Sequence, residues 1–277
     1  MKKAKPSPLL NSAAATAGGA VVVSSAHPFP LALLEFDRKS DHLAAFRWIA
    51  ASVPVTWTLT EQIASKIGDR ILSEALPPGA WLREQDFADE FGVNGGPIRD
   101  AFQLLMRDGL VHLHARRGAQ VTSLTAREVR DIFEIRANLF RMVARTLASQ
   151  RDAAYISALE SAIGKLESLA RTDAGADQYA KGVFRLSLYS ASACGNERLC
   201  DILTSLSLQT CRYSRIGLRT VDRRQKSLKM WRATLDAIRS GDPEHAERAA
   251  AQRISENGAA AEKILSANQR TAADATN

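Results

Sequence analysis

Two polar side chains, Arg99 and Gln103, stand four residues apart in the segment 94–107, which reads NGGPIRDAFQLLMR. Apolar residues of the same segment recur at helical spacing, so the two polar side chains are expected to share the opposite, exposed face of a helix. A guanidinium presents a planar fork of N–H donors that matches a guanine edge or a phosphate. The pattern therefore favours contact with nucleic acid.

The residues before this helix support the same chemistry. Asn94 is a suitable N-cap, and Gly95 and Gly96 leave the first backbone N–H groups uncovered for an approaching phosphate. Taken alone, the two glycines also fit a loose turn, and Arg99 also fits a solvated surface charge. A nucleotide-binding glycine loop is excluded, because no strand precedes the glycines and no Lys-Ser/Thr pair follows them.

The neighbouring elements decide between these interpretations. Helical patterns cover residues 58–72 and 84–91, and the helix after Asn94 is the third. The segment 111–121, VHLHARRGAQV, then alternates like a β-hairpin, with His112 and His114 facing outward from Val111 and Leu113. The residues at its tip are Arg116, Arg117 and Gly118. Three helices and a hairpin are typical of a winged helix-turn-helix, in which the third helix enters the major groove.

The chain after residue 124 carries no strand pattern. Thr125 and Glu128 predict a capping box at the start of a long helix. Further helices are predicted at 152–171, 176–193, 197–218, 222–240 and 243–267. The fold class expected is mainly α: an N-terminal winged helix-turn-helix domain with a small β-hairpin, followed by an all-helical bundle of about six helices.

Composition and charge place the chain among globular proteins. The 277 residues predict a tail with a short helix at 1–55, a DNA-binding domain at 56–123, a helical domain at 124–270 and a disordered tail at 271–277. The first 30 residues favour a disordered tail over a signal peptide. The net charges of 1–55, 56–123 and 124–277 are +3, −2 and +6, so the basic total does not itself argue for DNA binding.

The cysteines and histidines limit which other classes of protein this chain could belong to. Three cysteines and no CxxC pair predict free thiols in a cytoplasmic protein, without a sulfur-based zinc site. No apolar run approaches a membrane span. None of the five histidines has an evident nucleophile and orienting carboxylate beside it, so no enzyme is expected. The basic segment 212–232 is interpreted as a solvated corner, with a second DNA surface as the alternative.

The segment 58–123 resembles the GntR family of bacterial transcription regulators. The resemblance lies in LPPGAWL (76–82), FADEFGV (87–93), PIRDAF (97–102) and RDGLV (107–111). It implies operator DNA as partner, with contacts from the helix at 94–107 and from Arg116, Arg117 and Gly118 of the wing. The family usually has Ser/Thr-Arg-Thr/Ser at the positions of Asn94, Gly95 and Gly96, and often a basic residue at Gln85. These departures imply fewer DNA contacts.

The helical remainder looks like the FadR-type (FCD) effector domain. FEIR (133–136), Gly195-Asn196 and LDAIRSGD (235–242) carry this second resemblance. Many FCD domains bind a metal with an Asp and three His, and the corresponding positions here are Lys181, Arg185, Trp231 and Arg253. Protonated amines and guanidinium groups and an indole are not metal ligands, so no metal cofactor is expected.

Several cations around one cavity require a partner, because unpaired buried charge is costly. With Arg136, a position where the family often contacts its ligand, they predict a metal-free pocket for a small anionic metabolite. The alternative is that they pair with Asp177, Asp201 or Glu134 and fill the bundle. The resemblance also implies a homodimer. A repressor is expected, but the sequence does not decide between repression and activation. The alternative is an interaction protein with no effector and a weakened DNA-binding face.

Overall fold

A capping box starts the first helix of the computed structural model, which describes residues 58–274, with side chains to residue 268. The Thr58 hydroxyl accepts from the backbone N–H of Glu61, and the Glu61 carboxylate accepts from the backbone N–H of Thr58. The helix that follows, α1 (Leu59–Leu72), buries its apolar face. The tail and short helix predicted within residues 1–55 lie outside the described residues.

Two short helices follow α1 across a turn. Helix α2 (Glu84–Phe91) ends at Gly92, whose φ of 64° is left-handed and favours glycine. Helix α3 (Gly95–Arg107) buries the apolar stripe expected from the sequence, namely Ile98, Ala101, Phe102 and Leu105. Asn94 occupies the N-cap position of α3, but its side chain makes no capping hydrogen bond, unlike the capping role expected for it.

The wing has three strands where the sequence predicted a two-stranded hairpin. Strands β1 (Trp81–Leu82), β2 (Val111–His114) and β3 (Gly118–Val121) form an antiparallel sheet in the order β1-β3-β2. Gly118 has φ +86°, and a Cβ there would lie 2.3 Å from the Leu82 carbonyl oxygen, so the third strand requires glycine at this position. Leu113 was expected to face inward, but it is 38% exposed, whereas Val111 on the same strand is buried.

The rest of the described chain is helical, which confirms the predicted fold class. Its elements are α4 (Ala126–Gln150), α5 (Ala153–Ala170), a 3₁₀ turn (Asp173–Gly175), α6 (Ala176–Ala193), α7 (Glu197–Gln209), α8 (Cys211–Gly217), α9 (Val221–Ser240) and α10 (Pro243–Asp274). The helix predicted over 197–218 is two helices, because the backbone leaves helical geometry at Thr210, with φ −104° and ψ 7°. Helix α10 continues past 267 into the segment 271–277 predicted as a tail.

Helices α4 and α10 pack closely along each other in the centre of the bundle. At Gly258 of α10, a Cβ would come within 2.6 Å of the Phe133 Cβ of α4, so a side chain would force the two helices apart. Cys194, Cys200 and Cys211 are free and buried. None of the helices within residues 58–274 has a segment apolar enough and long enough to cross a lipid bilayer.

The two parts of the chain share apolar contacts. The core beneath the winged helix-turn-helix includes Phe184 and Leu188 of α6, Leu208 of α7 and Cys211 of α8. Side chains of three bundle helices therefore complete the apolar core of the winged helix-turn-helix.

The segment 212–232 is only in part the solvated corner that was expected: Arg219, Lys226, Lys229 and Arg232 are exposed, but two of its arginines are buried. Arg224 is fully buried and donates to the backbone carbonyls of Leu218, Arg219 and Thr172. Arg212 is also buried and donates to the Thr122 carbonyl. These guanidinium groups fix loops of the bundle, because buried carbonyl oxygens need donors.

Candidate functional site

Arg99 projects from the first turns of α3 on the exposed side of the helix. Its side chain is 63% exposed, as the sequence predicted. A carboxylate that the sequence analysis did not consider lies beside it: Nη2 of Arg99 donates to Oε2 of Glu84 at 2.8 Å, and Nε donates to Oε1 at 3.3 Å. The hydrogen bonds that Arg99 donates to the Glu84 carboxylate, and the charge of that carboxylate, raise the pKa of Arg99, so its guanidinium stays charged.

The surface around Arg99 is open. Gln103 is exposed on the same helix, and a Cβ at Gly96 would meet no atom within 4 Å. A Cβ at Gly95 would meet only Oε2 of Glu84, at 3.9 Å. Gln85 is exposed, but its amide donates to Asp89 Oδ1 at 2.8 Å. The α3 N-terminus is thus accessible to a large partner, with Arg99 as its most prominent donor.

The wing tip is also exposed. Arg116 has a left-handed φ of 62°, and Arg117 closes the turn by donating its backbone N–H to the His114 carbonyl at 3.1 Å. Both arginine side chains and both wing histidines are exposed. Trp81 lies on the same side of the sheet, with its ring centroid 4.7 Å from that of His114. The tip therefore offers two cations beside an aromatic surface.

A second group of functional candidates lies inside the bundle. Arg253 of α10 is 6% exposed, and its guanidinium carbon lies 3.6 Å from the centroid of the Trp231 ring. Its Nη1 donates to the Ser187 hydroxyl at 3.4 Å, and its Nε has no hydrogen-bond partner among the described residues. Burial, with a contribution from Arg136, lowers the pKa of Arg253 to about 9.

Arg136 of α4 is the second buried cation. It is 4% exposed, lies 4.9 Å from the ring of Phe133, and donates from Nη1 to Oγ1 of Thr210 at 2.8 Å. Burial lowers its pKa to about 10. No carboxylate of the described residues lies within ion-pair distance of Arg136 or Arg253. Together with Trp231, whose indole Nε1–H is buried and unpartnered among the described residues, they form what we call the arginine–tryptophan cluster.

Lys181 and Arg185 of α6 are placed differently. Lys181 is half-buried, whereas Arg185 is 2% exposed and its pKa is lowered by burial. Arg185 stands two residues before Ser187, the partner of Arg253, and side chains two apart on a helix point in different directions. Asp177, one of the expected partners, forms its ion pair with Arg215 at 2.8 Å.

The donor chemistry does not fit the metal that the FCD resemblance implies. The four corresponding positions carry two guanidinium groups, an ammonium and an indole, which offer N–H donors and no lone pair at neutral pH. Among residues 58–268, no group of three or more His, Cys, Asp and Glu side chains is placed to hold a metal ion.

A joint connects the arginine–tryptophan cluster to the winged helix-turn-helix. We define the joint as residues 210–215, where α7 gives way to α8. Thr210 accepts from Arg136, Arg212 donates to the Thr122 carbonyl at 3.0 Å, and Arg215 donates to the Leu72 carbonyl at 3.4 Å. Within six residues, the chain therefore passes from Thr210, a partner of the cluster residue Arg136, to two anchors on the DNA-binding domain.

Comparison with known proteins identifies both parts. A model described as bacterial regulatory proteins, gntR family, matches residues 59–121, and the FCD domain model matches residues 131–256. The chain is thus similar to the GntR family of bacterial regulatory proteins over residues 59–121 and to FCD domains over residues 131–256. The two matches together span about two thirds of the chain.

Relatives and solved structures agree with this assignment. The chain is 32% identical over 106 residues to an uncharacterized HTH-type transcriptional regulator, YdhC, of Bacillus subtilis, covering 38% of this chain and 47% of the relative. It is 26% identical over 195 residues to a probable D-xylose utilization operon transcriptional repressor of Paenarthrobacter nicotinovorans, covering 68% of this chain and 83% of the relative. The Escherichia coli McbR/YncC structure has the same fold, with a TM-score of 0.62 at 20% identity, over 77% of this chain and all of that one.

Three residues of these sites escaped the sequence analysis. Glu84 lies fifteen positions before Arg99, so no local spacing pairs them. Thr210 and Arg212 belong to a stretch that had the apolar pattern of a continuous helix. The glycine-poor sequence around Thr210 gives no breaker signal, so only the tertiary contacts reveal the joint.

Proposed function

We propose that this protein is a ligand-responsive transcription repressor of the FadR type, and that it binds operator DNA through α3 and the wing. The support is the arrangement of exposed donors on one side of the GntR domain. Arg99 and Gln103 stand on the free face of α3, whose N-terminus would approach a phosphate, while Arg116 and Arg117 would contact the neighbouring backbone. The P. nicotinovorans relative carries the word repressor in its name.

The effector we propose is a small organic anion that binds at the arginine–tryptophan cluster. The observation that carries this proposal is that Arg136 and Arg253 are both buried and neither has a carboxylate partner among the described residues. Buried charge without a counter-charge is destabilising, and an anion would supply that charge. The unpartnered Nε–H groups of the two arginines and the Trp231 indole N–H would be its hydrogen-bond donors.

The walls of the cluster suggest the shape of the anion. Trp231 and Phe140 flank Arg253, at 3.6 and 5.7 Å from its guanidinium carbon, and Phe133 flanks Arg136. Aromatic walls with two cations match a ligand that has one or two acidic groups on an apolar or planar body. Lys181 and Arg185 would supply positive charge on the side of the GntR domain. No metal takes part in this proposed site.

The joint gives the effector a route to the DNA-binding domain. An anion bound at Nε of Arg136 would draw the guanidinium toward itself and so weaken the hydrogen bond from Nη1 to the Thr210 hydroxyl. A shift of Thr210 would be transmitted to the anchors that Arg212 and Arg215 make on Thr122 and Leu72. The effector would thereby change the position of the wing and α3 relative to the bundle.

We propose a homodimer whose contact face lies on α4 and α7. These helices run antiparallel, since Arg136 bonds Thr210 at one end and Gln150 bonds the Cys194 carbonyl at the other. Ile135, Met142 and Ile202 are each about half exposed on this pair of helices. A second copy of the chain would cover them, and two half-sites in DNA require such a dimer.

Isothermal titration calorimetry against di- and tricarboxylates, aromatic carboxylates and sugar phosphates tests the effector site. We expect at least one of these anions to bind the wild type and to lose binding in Arg253→Met. Arg248→Met removes an arginine from the exposed face of the same helix, where the side chain is 64% exposed, and serves as the matched control. Silence across the panel would favour a filled bundle without an effector.

A further inference from the structure

The contact between Arg99 and Glu84 uses one particular edge of the guanidinium. Glu84 binds the side edge, formed by Nε and Nη2, at 3.3 and 2.8 Å. The end edge, formed by Nη1 and the outer N–H of Nη2, makes no hydrogen bond to the described residues. This free end edge presents two parallel N–H groups, which match O6 and N7 of a guanine.

We infer that Glu84 is a specificity-determining residue: it holds Arg99 so that the end edge of the guanidinium faces a guanine in the major groove. This inference rests on the proposed DNA-binding function. A long flexible arginine on an open surface has many rotamers, and fixing it in one of them lowers the entropic cost of the base contact. The carboxylate has a second effect, since its negative charge disfavours the alternative contact of Arg99 with a phosphate.

The surroundings of Glu84 suit this task. The Glu84 side chain is 32% exposed and Arg99 is 63% exposed, so the arginine is the outer member of the pair. Gly95 leaves the space beside the carboxylate free, with the nearest approach of a Cβ at 3.9 Å. The carboxylate also lies near the N-terminus of α3, where the helix dipole stabilises negative charge.

A second arginine–glutamate pair on α2 shows what a purely structural contact looks like in this domain. Glu90 accepts two hydrogen bonds from the single nitrogen Nη1 of Arg70, each 2.9 Å long. The Arg70 guanidinium lies over the Phe87 ring at 5.4 Å and belongs to α1, not to the recognition helix. Glu90→Gln therefore removes the same charge from the same helix without touching Arg99.

The full wild-type chain is first used to select bound duplexes from a random-sequence DNA pool. A selected duplex is then the probe. Fluorescence anisotropy then gives the affinities of wild type, Glu84→Gln and Glu90→Gln for the selected duplex, for its single base-pair variants and for an unrelated duplex. For Glu84→Gln we expect the preference for guanine at one position per half-site to fall about tenfold, with higher affinity for the unrelated duplex. Glu90→Gln is expected to raise the unrelated-duplex affinity alone and to keep the preference.

Arg99→Lys provides a second route to the same conclusion. Lysine keeps the charge but lacks the planar fork, so it should lose the guanine preference at the same position while retaining affinity for the unrelated duplex. A Glu84→Gln protein with the full base-pair preference of wild type would overturn the inference. Failure of wild type to select any sequence would instead overturn the proposed function beneath it, so the two failures are distinguishable.

Discussion

The arginines of the GntR domain surface and those of the FCD core are held in opposite ways. Arg99 is exposed and has a carboxylate partner, and Glu84 raises its pKa. Arg253 is buried, has a hydroxyl and an aromatic ring as partners, and has a lowered pKa. A carboxylate partner is therefore present at Arg99, where water already solvates the charge, whereas none lies beside the buried Arg253 among the described residues.

This difference indicates two tasks for the same chemical group. At the surface, water already stabilises the charge of Arg99. We therefore infer that the Glu84 carboxylate fixes the geometry of the Arg99 side chain. In the core, Arg136 and Arg253 have no counter-charge among the described residues, and we infer that this favours the binding of an anion from outside the chain. A stable filled bundle would gain more from an apolar side chain at position 253.

The largest effect is expected from removing the surface arginine. Arg99→Ala should weaken binding to the selected operator by roughly ten- to a hundredfold for each half-site, because one bidentate base contact is lost in each. Anisotropy with labelled duplex measures this loss. Arg107→Ala, which removes an exposed arginine from the last turn of the same helix, should change affinity much less. Equal losses in the two variants would show that Arg99 contributes charge alone.

Substitutions of two buried arginines of the FCD domain distinguish a structural role from a ligand-binding role. Arg224→Met removes the donor to three loop carbonyls and the ion-pair partner of Asp173, and we expect the free energy of unfolding to fall by about 2–4 kcal/mol. Arg253→Met removes a buried charge without a carboxylate partner, and we expect stability between unchanged and about 3 kcal/mol higher. Urea unfolding of the ligand-free proteins measures both, and a strong destabilisation by Arg253→Met would identify Arg253 as structural.

Anion binding at the cluster should depend on pH in the alkaline range. The anion binds the protonated guanidinium, and the pKa of Arg253 in the ligand-free protein is about 9. Affinity should therefore be constant from pH 7 to 8.5 and fall as pH rises through 9, becoming about tenfold weaker at pH 10. Calorimetry with an anion that does not titrate in this range measures the profile. A flat profile up to pH 10 would place the anion away from Arg253.

A smaller effect is expected from the joint. Thr210→Val removes the hydroxyl that accepts from Arg136, and we expect the anion-induced change in operator affinity to shrink about threefold, while anion binding persists. Thr234→Val is the matched control, because that buried hydroxyl bonds only to the Met230 carbonyl within its own helix. Unequal operator responses of the two variants would support the joint, whereas matching responses would remove Thr210 from the route.

Sequence periodicity predicted the architecture of the chain. It did not predict which residues the side chains of the site contact. The stripe of Ile98, Phe102 and Leu105 fixes which face of α3 is buried, so the exposure of Arg99 followed from local spacing. Its pairing with Glu84 joins residues of two helices, and the spacing within either helix does not reveal it. Strand β1 escaped prediction because two residues carry no alternation signal, and the register with β3 alone defines it.

In the bundle, likewise, the candidate residues could be predicted but their contacts could not. The sequence analysis identified Arg136, Arg253 and Trp231 as candidates from their positions in the family pattern, and the structure buries all three. Which cations share one environment could not be predicted, since Arg253 meets Ser187 and Trp231 only after α6, α9 and α10 have packed. The burial of Arg224 likewise depends on loop carbonyls that are 5, 6 and 52 residues away in sequence.

The central claim is that the arginine–tryptophan cluster is the site through which an anion controls DNA binding. The most direct test titrates the anion found by calorimetry into a complex of the wild-type protein with labelled operator, alongside the same complex of Arg253→Met. We expect the anion to release operator from wild type, and to leave the variant bound at the same concentrations. Release from both proteins at equal anion concentration would contradict the claim.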